Sequence, residues 1–168
     1  MMSITAASAT WFLPFTLPIC LYIMFTDMKQ MRIPNHAVGT LFVVFVVIGL
    51  IALPFSEYLW RYVYFLVALV AGMALTAARA MGAGDAKWIA AMAPFIHLGD
   101  LSFLMILFGV TLLAAFIGHR FAKLTPIHNL APAWVSWQAG KKFPMGLALG
   151  PTLAIYLALG VFYGQPAP

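Results

Sequence analysis

Only four of the 168 residues are acidic. They are Asp27, Glu57, Asp85 and Asp100, and two of them stand where a carboxylate could do chemistry. Asp27 opens the stretch DMKQMRIPN, in which Pro34 cannot continue a helix and drives Ile33 toward extended geometry. Asp85 follows Gly82 and Gly84 in MGAGDAKW, and glycine admits positive φ or the close approach of another backbone. A carboxylate after such a turn could be presented to an extended peptide lying against the glycines. Two carboxylates facing one water form a peptide-cleaving device. The ionised one takes a proton from the water, while the protonated one polarises the scissile carbonyl. Their mutual repulsion separates the two pKa values, so the pair holds one shared proton. Neither a metal nor a cofactor is needed.

Plainer readings of both acids exist. A basic juxtamembrane loop with Asn35 capping the next helix accounts for Lys29, Arg32 and Pro34, but leaves an acid among bases unexplained. Asp85 fits a helix N-terminus, where the dipole favours negative charge. Other chemistries find less to work with. His36 and His97 fall on opposite faces, and His119 and His128 sit on one loop, so no ligand cluster and no metal site is expected. No serine nucleophile-elbow pattern occurs. Cys20, the single cysteine, lies in an apolar run without a neighbouring base and is assigned to packing.

The elements that must position these acids are written in the composition. Charged residues make up 8% of the chain, hydrophobic ones 64%, and the mean hydropathy is +1.00. A soluble domain carries about 25% charged residues, so the solvent for most of this surface is lipid. Uncharged stretches cover residues 1–26, 37–53, 62–78, 101–118 and 143–168, and each holds a run near the ~20 residues that cross a bilayer as a helix. A shorter run, Trp88 to Leu98, is broken by Pro94 and spans only if its helix begins at Asp85. The expectation is an all-α polytopic membrane protein of six transmembrane helices, forming one membrane-embedded domain over residues 1–168. The first segment lacks a basic leading region and is interrupted by Pro14 and Pro18. It is therefore read as a spanning helix with a kink facing its neighbours rather than as a cleaved signal.

With both termini outside, Lys29, Arg32, Arg79, Lys87, Arg120, Lys123, Lys141 and Lys142 all fall inside, and only Arg61 falls outside. That is the positive-inside pattern. The net charge of +5 is thus a topology signal rather than a nucleic-acid patch. The same arrangement puts Asp27 and Asp85 together at the inner face. It leaves Glu57 and Asp100 on outer loops as solvated carboxylates. Residues 119–143 become an inner loop whose Trp134 and Trp137 anchor at the headgroup level.

The two acidic stretches, D-x5-I-P-N at Asp27 to Asn35 and G-A-G-D-A-K at Gly82 to Lys87, resemble the active-site motifs of prepilin peptidases, the GxGD-type aspartic membrane proteases also called type IV leader peptidases. F-P-M-G, with Pro144 and Gly146, is similar to that family's weaker third motif. The resemblance covers nearly the whole chain. It implies an aspartic endopeptidase of the cell inner (cytoplasmic) membrane that removes the basic leader of prepilin or pseudopilin precursors at the cytoplasmic face. The substrate's own apolar helix would dock among those of the enzyme. Asp27 and Asp85 would be the catalytic pair; Gly82, Gly84, Lys87, Pro34, Asn35, Pro144 and Gly146 would support them. The implied partners are the precursor and the lipid bilayer, with no cofactor and no nucleic acid. Larger members carry a cytoplasmic domain with cysteine pairs and also methylate the trimmed pilin. A chain with one cysteine resembles instead the short peptidases of tight-adherence (Flp) pilus systems, or their archaeal relatives, without methyltransferase activity. Two other classes stay open on the residues alone. One is a proton- or ion-coupled transporter using the acids as relays, and the other a non-catalytic pilus or secretion assembly protein.

Overall fold

The computed structural model describes residues 1–140 and 142–166. Lys141, counted among the inner basic residues, and Ala167–Pro168, at the end of the last apolar stretch, lie outside the described residues. Six α-helices occur among the described residues: α1 (Ala6–Gln30), α2 (Asn35–Ala52), α3 (Phe55–Ala77), α4 (Ala83–Met92), α5 (Leu101–Leu124) and α6 (Gly146–Tyr163). No strand occurs among the described residues. All of these helices but α4 are long and apolar enough to cross a membrane. The protein is an all-α polytopic membrane protein. Lipid offers no partner for a backbone amide, so segments this apolar close their hydrogen bonds internally as helices. Their outer faces carry Val43, Leu66, Ile106 and Phe162, all well exposed.

The core forms where α6 lies against α1. Small residues let the two backbones approach. A Cβ on Gly150 would stand 2.8 Å from the Cys20 carbonyl, and one on Gly160 would stand 3.0 Å from the Ala9 Cβ. Phe12, Thr16, Cys20 and Ile23 form the buried stripe of α1 at helical spacing. Pro14 and Pro18 lie on the opposite, exposed face, and α1 runs through both without a break. The expectation that they face neighbouring helices is therefore corrected: the inward face is already occupied by the stripe that packs on α6.

Both chain ends meet at one end of the bundle. Gln165 donates to the Ile4 carbonyl and Ala6 to the Gln165 carbonyl, each over 2.9 Å. Asp100 completes this clasp. Its carboxylate accepts from the Ser3 and Ile4 amides (2.6 and 2.9 Å) and from the Tyr156 hydroxyl (2.8 Å). It is only 4% exposed, not the solvated loop acid that the sequence suggested. The reason is non-local: its donors come from the two chain ends. Glu57 and Arg61 are likewise not on a loop, because α3 begins at Phe55. Arg61 is buried, pairs with Glu57 at 2.6 Å and donates to the Ile96 carbonyl.

The fourth segment crosses the bundle, though not as one helix. α4 has 10 residues, about 15 Å of rise. The chain continues through short 3-10 turns at Ala93–Phe95 and Leu98–Asp100. It begins beside the C-terminal end of α1 and ends at the clasp formed by the chain ends. Trp88, Ala90, Ala91 and Phe95 are buried, so the irregular backbone is shielded by protein, as non-helical backbone at membrane depth must be. α5 extends to Leu124, so His119 belongs to a helix and not to the following loop. It stacks on Trp137 at 5.1 Å; Trp137 stacks on Trp134 at 5.9 Å, and Phe25 of α1 meets Trp134 edge-on at 5.8 Å. These tryptophans, half-buried, tie the loop between α5 and α6 to α1 near Asp27.

Candidate active site

Asp27 occupies the last turn of α1. The helix stops at Met31, whose φ of 54° and ψ of 40° are left-handed, and the Met31 amide closes on the Asp27 carbonyl at 2.8 Å. Arg32 and the buried Ile33 then lead into Pro34, which is the N-cap of α2. The proposed cap by Asn35 is corrected here. Asn35 is the first helical residue, and its side chain instead accepts from Lys87 Nζ at 3.1 Å. That bond joins the stretch after Asp27 to the stretch after Asp85.

Asp85 lies in the first turn of α4, three residues after the N-cap Gly82. The dipole argument for its position therefore holds, and so does its place in a cavity. Gly82 has φ −69° and ψ 142°, so no left-handed backbone is involved. The glycine serves close approach: a Cβ there would stand 2.8 Å from Asp85 Oδ2. Gly84 is less demanding, since an added Cβ would meet Ile33 atoms at 3.5 Å or more.

The third stretch arrives from α6. The Gly146 amide, at the start of that helix, donates to Asp27 Oδ2 at 2.6 Å. A Cβ on Gly146 would stand 2.9 Å from Asp27 Cβ and 3.0 Å from Oδ2. Pro144 accepts from the Leu147 amide at 3.1 Å and so shapes the start of that helix.

These parts enclose one cavity of about 390 Å³. Asp27 and Asp85 both line it, together with Arg32, Asn35, Gly82, Gly84, Lys87, Phe143 and Met145. Asp27 is buried and Asp85 half-buried, while Arg32, Asn35 and Lys87 form an exposed rim. Burial, and then the neighbouring Asp27 charge, push the Asp85 carboxyl from 3.8 up to about 6. Such a carboxyl holds a proton well into the range where an ordinary aspartate has lost it. No group of three or more potential metal-ligating side chains occurs among the described residues. Pro34, Pro144 and Gly146 act through the backbone, around the carboxylates. The bond from Gly146 to Asp27 had no signal in the sequence beyond the position of a glycine at a helix start.

The chain is thus an all-α membrane bundle with two carboxylates lining one polar cavity at one end. The sequence profile of the type IV leader peptidase family matches residues 14–121, and the chain belongs to that family. It is a leader-peptidase-type protease. The match includes both aspartate stretches and ends before Phe143–Gly146. No curated protein and no solved structure matches the chain.

Proposed function

We propose that this protein is an aspartic endopeptidase that removes the basic leader of type IV pilin-like precursors, with Asp27 and Asp85 as its catalytic pair. The observation that carries the reading is that these two carboxylates line the same small polar cavity. In the proposed mechanism the pair holds one proton and one water. The ionised carboxylate accepts a proton as the water attacks the scissile carbonyl, and the protonated one donates to the carbonyl oxygen. The tetrahedral intermediate collapses as the C–N bond breaks. The leaving amine takes the proton gained from water, and a hydroxyl of the intermediate returns its proton to the carboxylate that had donated, so the pair again holds one proton. The Gly146 amide fixes the Asp27 carboxylate. The bond from Lys87 to Asn35 holds the two aspartate stretches in register.

In this account residues 1–168 act as a single domain in the inner membrane, with both termini outside and the cavity at the cytoplasmic face. The basic residues support that orientation. Lys29, Arg32, Arg79, Lys87, Arg120, Lys123 and Lys142 all lie on the helix ends and links at the end that holds the cavity. The proposed activity is peptide cleavage without methyl transfer, as in the short family members that this one-cysteine chain resembles. The reconstituted protein, incubated with a pilin-like precursor, should yield a product whose new N-terminus lies at the leader junction. An uncut precursor would return the chain to a transporter or assembly role.

A further inference from the structure

A second, larger cavity of about 750 Å³ opens sideways between α3 and α5. α3 packs on α4, and α5 packs on α6, so the space between the two pairs is left as a lipid-facing groove. Its walls are apolar side chains such as Val63 and Val67 on α3 and Leu101 and Met105 on α5, all exposed. Ile89 and Met92 of α4 form its floor. We infer that this groove seats the apolar membrane helix of the substrate and delivers the substrate's cytoplasmic end to Asp85. The inference rests on the peptidase reading above and adds where the substrate lies.

Three features fit a helix rather than an acyl chain, which would need only the apolar walls. The first is register. Asp85, Ile89 and Met92 are spaced i, i+4 and i+7, so they stand one above another on a single face of α4. A helix lying along Ile89 and Met92 is thereby aligned on Asp85. Met81, at the lower end of the groove, is followed directly by Gly82 of the carboxylate cavity. The second is the presence of small residues. Ala68 and Ala93 lie in the lining and admit the backbone of a neighbouring helix. The third is that Met81, Met92 and Met105 supply adaptable side chains, which suits one groove to apolar faces of differing shape. The groove offers no spare polar group at its Thr152 edge, because that hydroxyl is already bonded to the Ala148 carbonyl and to Thr111.

The test uses two arms on the full-length protein in proteoliposomes. In the first, Asp85→Asn keeps a precursor uncut, and single cysteines replace Val67, Met105 or, as a control on α2, the exposed Val43. The native Cys20 is buried and does not compete. A precursor with a cysteine in its apolar helix should form disulfides with Val67→Cys and Met105→Cys several-fold faster than with Val43→Cys. In the second arm, Ala68→Trp fills the groove in the otherwise unaltered enzyme. KM for the full precursor should rise about tenfold, while a short peptide spanning the leader junction, without the apolar helix, is cut at the unaltered rate. Equal cross-linking at Val43, or an unchanged KM with Ala68→Trp, overturns the inference and leaves the groove to lipid. Failure of the peptidase reading shows itself separately, as a precursor left uncut by the unaltered protein, and failure of the role of Asp85 as a precursor still cut by Asp85→Asn.

Discussion

The main-chain amide of Gly146 donates to Oδ2 of Asp27 over 2.6 Å, linking positions 119 residues apart. The bond places the N-terminus of α6 against a carboxylate at the C-terminal end of α1. There is no room for a side chain at the donor, because an added Cβ would stand 2.9 Å from the Asp27 Cβ. Gly146→Ala should therefore displace the Asp27 carboxyl while the bundle stays folded. A displacement near 1 Å costs roughly 10- to 100-fold in turnover. The expected result is a fall of that size in kcat on a precursor, with the circular-dichroism melting curve close to that of the unsubstituted protein.

The hydrogen bond from Lys87 to Asn35 is exposed, so its contribution is modest. A net value of about 1 kcal/mol corresponds to a several-fold change in rate. Lys87→Ala and Asn35→Ala should each lower kcat/KM by that factor. The double variant should be no worse than the poorer single one, which a double-mutant cycle reads directly. Full additivity would mean that the two side chains act independently.

Asp100→Ala should affect stability and not chemistry. Removing the carboxylate leaves the Ser3 and Ile4 amides and the Tyr156 hydroxyl without their acceptor, a loss of about 3 kcal/mol. The apparent Tm in detergent should fall, while cleavage per folded molecule at low temperature stays unchanged. Glu57→Ala should likewise spare cleavage, because its partner Arg61 lies in the part of α3 remote from Asp27.

What could be read in advance and what could not divides along the range of the interactions. Asp27 and Asp85 stood out because acids are scarce in a chain whose solvent is lipid, and their sequence surroundings are local. The six segments were legible for the same reason, since hydropathy is a property of consecutive residues. Asp100 was misjudged because its three donors come from residues distant in sequence. Asn35 was misjudged because Pro34 occupies the cap position that Asn35 would have filled. The break of the fourth segment into a 10-residue helix and two short turns also depends on tertiary shielding. Hydropathy does not encode that shielding.

The raised Asp85 carboxyl gives a pH signature. A carboxyl whose folded pKa stands above its unfolded value contributes stability that is full below the unfolded pKa and lost as pH rises through the folded one. For Asp85 the window runs from 3.8 to about 6. Asp85→Asn should therefore flatten the dependence of the apparent Tm across this window and raise Tm relative to the unsubstituted protein above it. Cleavage by the unsubstituted protein should follow a bell-shaped profile, because one of two coupled protons must be present. A chelator should leave the rate unchanged.

Orientation can be read with reporters. A periplasmic reporter fused after Pro168 should be active, and one inserted beside Lys123 should be active only as its cytoplasmic form. The same side for both positions would contradict a crossing by α6 and with it the count of six.

The central claim is that the two carboxylates act together, and the most direct measurement is cleavage of a pilin-like precursor by Asp27→Asn and Asp85→Asn proteins in proteoliposomes. Asparagine keeps the size of aspartate but carries no titratable proton. The account predicts that either substitution lowers the rate by about 1,000-fold or more, with unaltered helix content and retained precursor binding. Near-normal cleavage by either variant in its folded state would contradict it.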